Sequence, residues 1–127
     1  MKKVIANFVL SYLQTAAWVT CESGECTDFT MAAKKSAQAD CKEFIEAVMK
    51  SFGRKKGIEL LTIQGNDFGC LSGHDFFLTR NHHGAGFWDK EDMYVENEAG
   101  ILTQISQKCG SVDVIHIRGP KSKFTFI

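Results

Sequence analysis

Apolar positions near the amino terminus, Phe8, Leu10, Leu13, Ala17 and Trp18, recur at near-helical spacing and predict a core helix over residues 3–19. The polar stretch from Thr20 to Thr30, with Gly24, Glu22, Glu25 and Asp28, reads as a surface loop. Cys41, Phe44, Ile45, Val48, Met49 and Phe52 then form one apolar stripe, which predicts the longest helix, from Met31 to Arg54. Thr30 or Asp28 would cap its start and Gly57 would stop it. Its other face, with Lys34, Lys35, Lys42, Glu43, Glu46 and Lys50, reads as solvated. The run Ile58–Ile63 fits a strand or a further helical turn equally well. Gln64 to Ser72, rich in Gly, Asn and Asp, reads as a loop.

Residues 73–89, Gly-His-Asp-Phe-Phe-Leu-Thr-Arg-Asn-His-His-Gly-Ala-Gly-Phe-Trp-Asp, hold the densest chemistry of the chain. Two aromatic runs flank a polar turn, and the segment is predicted as a β-hairpin turning at Asn81-His82 or His82-His83. In that register Arg80 faces His83, Leu78 faces Ala85, Phe76 faces Phe87 and His74 faces Asp89. Alternation puts Asp75, Phe77, Thr79, Gly84, Gly86 and Trp88 on the opposite face. Glycine inside a strand marks close approach by a backbone or a ligand. That face is therefore expected to be either a shallow aromatic-walled groove or a seat for a helix of the same protein, with Trp88 in the core.

Beyond the hairpin, Lys90–Gly100 reads as an acidic loop, Ile101–Cys109 as a short helix closed by Gly110, and Val112–Ile117 and Lys123–Ile127 as a second hairpin around Pro120. The order is α-α-β-β-α-β-β. It predicts an α+β fold: a single domain over 1–127, with an antiparallel sheet of about four strands packed against two longer helices and one short one.

At 127 residues with 44% hydrophobic content, the chain has enough material for one proper core. Fifteen basic and fifteen acidic residues cancel, which argues against nucleic-acid binding by bulk charge and against an acidic DNA mimic. The five cysteines (Cys21, Cys26, Cys41, Cys70 and Cys109) form no Cys-x-x-Cys pair, so a reducing cytoplasm is the expected setting. Cys70 is the candidate for a reactive thiol, against the blander reading of a buried cysteine. The first apolar run is broken by Asn7, Ser11 and Gln14 and is too short and polar to span a bilayer.

No phosphate-cradling loop, nucleophile elbow, zincin motif or dinucleotide fingerprint is present in the sequence. A metal reading would take His74, Asp75 and Asp89, but Asp75 faces away from the other two, so neither metal nor cofactor is expected. The residues expected to contact a ligand or partner are His74, Asp75, Phe77, Thr79, Arg80, Asn81, His83, Gly84, Gly86, Trp88 and Asp89.

The block His74–Asp89 resembles one found in a small family of uncharacterised bacteriophage and prophage proteins, His-Asp-Phe-Trp-Leu-Thr-Arg-Asn-Gly-His-Gly-Ala-Gly-Phe-Trp-Asp, with Phe77 in place of Trp and His82 in place of Gly. Looser likeness extends to an apolar N-terminal helix, to Asp40-Cys41 with Phe44, and to Leu102-Thr103. The resemblance implies a viral or mobile-element origin and no assigned chemistry.

Three functional expectations follow from residues and resemblance together. The first is a non-catalytic accessory protein in the cytoplasm of an infected bacterium. It would bind a host protein of an antiviral defence system, such as a CRISPR-type effector, or sequester a small signalling nucleotide. In the nucleotide form, Trp88 and Phe77 would stack while Arg80 and the histidines meet phosphate. The second is a small hydrolase or nuclease using His74, Asp75, His83 and Asp89. The third is a nucleic-acid-binding regulator resting on Lys50–Lys56 and Lys121–Lys123. Self-association into a homo-oligomer is compatible with all three.

Overall fold

The structure is a computed structural model that describes residues 1–20, 28–65, 69–83, 86–89, 93–117 and 123–127. It is mostly helical. Helix α1 spans Lys2–Thr20, α2 spans Met31–Phe52, α3 spans Arg54–Leu61, α4 spans Leu71–Arg80 and α5 spans Glu96–Lys108. A 3-10 turn covers Phe87–Asp89. Two short antiparallel pairs complete the described residues: β1 (Gln64–Gly65) with β2 (Gly69–Cys70), and β3 (Val114–Ile117) with β4 (Lys123–Phe126).

Helices α1 and α2 form where the hydrophobic period placed them. Thr30 caps α2 by accepting the Ala33 N–H at 3.1 Å, a contact worth about 1 kcal/mol. The stripe of α2 is buried at Cys41, Phe44, Ile45 and Val48, with Met49 and Phe52 packed against its edge. Along α1, Phe8 and Ala17 are buried as expected, but Leu10 and Trp18 stand exposed, and Tyr12, Thr15 and Ala16 take the inner face. The β3–β4 hairpin is present, and Phe29 bridges to Phe124 on the outer side of β4.

Two expectations need correction. The helix does not run on to Gly57: Gly53, at φ +82°, breaks the chain into α2 and α3. Gly57 instead lies inside α3, where a Cβ would come 2.7 Å from Met49 Sδ. Of the two readings left open for Ile58–Ile63, the helical one holds, since Ile58 to Leu61 complete α3. The acidic segment after Met93 is also more ordered than a loop. It opens α5, whose first turn places Glu96 and Glu98 where the helix dipole favours negative charge.

The largest correction concerns residues 73–89. They form no hairpin and join no four-stranded sheet; their first half is α4 and their second half ends in the 3-10 turn. All ten residues of α4 are buried. A helix covered on every side needs no polar stripe, so its sequence carries no 3.6-residue period, and the aromatic run mimics a strand. Asn81-His82, expected as a hairpin turn, instead follow the end of α4, with Asn81 as its cap and His82 in the left-handed region at φ +59°. Gly73 lets α4 cross α1 closely, since a Cβ there would lie 2.5 Å from the Phe8 carbonyl oxygen.

Around α4 the core is an aromatic array. Phe44 stacks on Phe76 at 4.2 Å between ring centroids and on Phe8 at 5.5 Å. Tyr12 meets Phe77 edge-on at 5.3 Å, and Phe87 meets Tyr94 edge-on at 5.2 Å. Offset and edge-on ring pairs of this kind contribute about 0.5–1.5 kcal/mol each beyond the area they bury.

Candidate functional site

The chemistry-rich residues of α4 divide into an inner set, bound into the core, and an outer set beyond its C-terminus. His74 shares a 2.8 Å hydrogen bond with Thr15 Oγ1, whose own proton goes to the Ser11 carbonyl. Asp75, fully buried, accepts from the Tyr94 hydroxyl at 3.3 Å. Burial first, and then the neighbouring Asp75, push the Tyr94 phenol above its ordinary range. Phe77 is core. Thr79 accepts the Phe87 N–H at 3.2 Å, and Gly86 crosses Thr79 so closely that no Cβ would fit. The close approach expected of a glycine here is real, but the approaching group is the chain itself.

Arg80 is the most heavily engaged side chain of the set. It is 2% exposed and lies beneath α5. Its Nη1 donates to Asp40 Oδ2 at 2.8 Å and to Tyr12 Oη at 2.9 Å, Nε donates to the Gly110 carbonyl at 2.7 Å, and Nη2 donates to the Cys109 carbonyl at 3.1 Å. The two carbonyls are otherwise orphan acceptors at the end of α5, where a cation is favoured. Its guanidinium carbon also sits 5.2 Å from the centre of the Phe76 ring. Burial alone would lower the guanidinium pKa, but Tyr12 and Asp40 more than offset it and hold the charge on. Asn81 closes α4 by donating to the Phe77 carbonyl and accepting the Val112 N–H at 2.8 Å.

His74, Asp75, Thr79, Arg80 and Asn81 therefore do not gather at one solvent-facing point. His82 and His83 are exposed and line a polar cleft of about 270 Å³ with Thr20 and Asp113. Gly84 lies outside the described residues, and Asp89 belongs to the 3-10 turn. Phe77 and Trp88, expected on one groove wall, are separated: one is core, the other is 58% exposed. Cys70 is buried, its thiol 3.0 Å from the Leu61 carbonyl, and Cys41 is buried with its thiol pushed well up by desolvation. Neither is placed as a nucleophile. Cys21 and Cys26 lie outside the described residues.

The basic clusters are partly neutralised. Lys56 lies 2.9 Å from Glu98 and 3.6 Å from Glu59, while Lys123 lies 3.8 Å from Asp28. Lys121 lies outside the described residues. Among the described residues, no three His, Cys, Asp or Glu side chains come together as a metal site, and no helix is long and apolar enough to cross a membrane.

What the outer surface offers instead is a cleft of about 380 Å³ between the 3-10 turn and the start of α5, lined by Phe87, Trp88, Tyr94, Glu96 and Ala99. Thr79, which accepts the Phe87 N–H and lies against Gly86, ties the 3-10 turn beside this cleft to α4. The Trp88 ring lies against α5 at Gly100, 3.9 Å from where a Cβ would stand. Met93 and Val95, 44% and 61% exposed, extend the apolar rim. Tyr94, Glu96 and Ala99 were not foreseen from sequence. Their only signal was the acidic pair at the start of α5, which a loop explains equally well.

Comparison with family models, with curated proteins and with solved structures finds no match.

Proposed function

We propose that this chain is a non-catalytic binding protein that engages a protein partner through the Trp88 cleft. The observation that supports the reading is a contrast in burial. The titratable residues of α4 are spent inside the fold, while Trp88, the largest side chain of the segment, is left 58% exposed beside an aromatic-floored cleft. Tryptophan is enriched among the residues that dominate protein interfaces, because it carries 150–250 Å² of surface at little entropic cost.

Between the two kinds of partner expected, the geometry favours a protein over a signalling nucleotide. A nucleotide would need the Arg80 guanidinium for its phosphates, and four contacts already occupy it. The hydrolase reading would need His74 and Asp75 within reach of a substrate, and both are core groups held by Thr15 and Tyr94. Together with the resemblance of residues 74–89 to phage proteins, this supports an accessory protein that inhibits a component of a host antiviral defence by occupying one of its surfaces.

The test is affinity capture from bacterial lysate with the wild-type chain and with Trp88→Ala, identifying bound material by mass spectrometry. A stoichiometric protein retained by the wild type and lost with Trp88→Ala, at unchanged melting temperature, is the expected result. Equal capture by both, or recovery of a nucleotide alone, would overturn the reading.

A further inference from the structure

The cleft beside Trp88 has an electrostatic bias as well as an aromatic lining. Phe87 and Tyr94 meet edge-on beneath it and are buried, and the Tyr94 hydroxyl is turned inward to Asp75, so the ring surface open to a ligand is that of Trp88. Glu96 stands exposed at the mouth. Its full negative charge outweighs the roughly half-unit of positive charge that the start of α5 carries. Among the described residues Glu96 has no ion pair, whereas Glu98, two residues further on the same helical turn, holds Lys56 Nζ at 2.9 Å. Among the described residues, the start of α5 thus binds one lysine of its own chain and leaves a second carboxylate without an ion pair.

From this geometry we infer that the cleft takes a cationic side chain, an arginine or lysine presented by a basic segment of the partner protein. The inference rests on the binding-protein reading above and adds the chemistry of the group that enters. An aromatic face attracts a cation through its quadrupole, and a carboxylate at the rim supplies the charge complement. Met93 and Val95 would cover the aliphatic stem of such a side chain, which lies along apolar surface while its head reaches charge. An anionic ligand would meet Glu96 and be repelled.

The experiment uses Trp18→Phe as background, so that emission from the remaining tryptophan, Trp88, reports the cleft. Blocked peptides of alternating glycine and arginine, glycine and lysine, and glycine and glutamate are titrated in turn. A saturable change with the two cationic peptides, absent with the glutamate peptide and weakened about tenfold by Glu96→Gln, is expected. No saturable response to either cationic peptide, an equal response to the glutamate peptide, or an undiminished response in Glu96→Gln would overturn it. Glu96 is exposed, and a melting curve of Glu96→Gln matching that of the background confirms that lost binding is not lost folding. The two readings fail separately: capture that depends on Trp88 without any affinity for cationic peptides removes only the cation, whereas capture indifferent to Trp88→Ala removes the binding surface itself.

Discussion

Arg80 Nη1 lies 2.8 Å from Asp40 Oδ2, and this contact ties the central helix α4 to α2 across forty positions of sequence. The same guanidinium holds Tyr12 of α1 and the Cys109 and Gly110 carbonyls just past the end of α5, so one side chain on α4 ties together α1, α2 and the C-terminal cap of α5. A buried cation with this many partners cannot be removed without leaving acceptors unpaired in the core.

Arg80→Met is therefore expected to destabilise the fold by about 3–5 kcal/mol, as breaking a buried pair by deleting one partner does. Asp40→Asn should cost less, about 1–2 kcal/mol, because Asp40 is 28% exposed and Arg80 keeps Tyr12 and two carbonyls. Denaturant unfolding of the two variants checks the order as well as the size.

Gly73 and Gly86 make a second prediction. Alanine at Gly73 would push into the Phe8 carbonyl, and alanine at Gly86 into Thr79. Each substitution should lower stability by about 1–3 kcal/mol, the usual cost of overpacking. At Gly86 the double variant Gly86→Ala/Thr79→Ser, which removes the Thr79 methyl, should recover part of the loss; chemical denaturation of the single and double variants measures that coupling.

The core also responds to alkali. Burial raises the Cys41 thiol and the Tyr12 and Tyr94 phenols above the values near 9.0 and 10.0 that they have in an unfolded chain. With folded pKa above unfolded pKa, their contribution is fully present below pH 9 and is lost as the unfolded chain ionises at higher pH. Denaturant midpoints should be flat from pH 7 to about 8.5 and fall above it. Tyr12→Phe/Tyr94→Phe should show a shallower fall than the wild type.

Trp88→Ala should behave in the opposite way to Arg80→Met. An exposed ring contributes little to the fold, so the melting curve should change by less than the equivalent of about 1 kcal/mol, while partner capture should be lost. Circular dichroism and capture on the same preparation separate the two effects.

How much of this could be read in the sequence depended on whether an element has a wet side. Helices α1 and α2 each keep one face in water, so their period is visible, and Thr30 announces the start of α2. The β3–β4 pair was legible because Val112–Ile117 alternates in sequence. Helix α4 has no wet side: Leu71 to Arg80 are all buried, and the polar residues that punctuate it bond inward instead of outward. Whether the candidate residues face a ligand or the core was hidden for the same reason. His74, Asp75 and Arg80 have the residue types of a site, yet Thr15, Tyr94, Tyr12 and Asp40, which absorb their chemistry, are distant in sequence and declare no pairing. Trp88 stood out in the sequence as an aromatic beside glycines, but the Tyr94 and Glu96 that line a cleft with it follow a further stretch of chain, and no local pattern links them to it.

The most direct test of the binding surface is amide hydrogen exchange on the chain alone and saturated with its captured partner. Slowed exchange is expected at residues 87–89 and 93–100, around Trp88 and the start of α5, with residues 71–80 protected equally in both samples because they are already core. Protection confined to other surfaces, such as the His82-His83 cleft, with residues 87–100 unchanged, would contradict the assignment of the Trp88 cleft as the place where the partner binds.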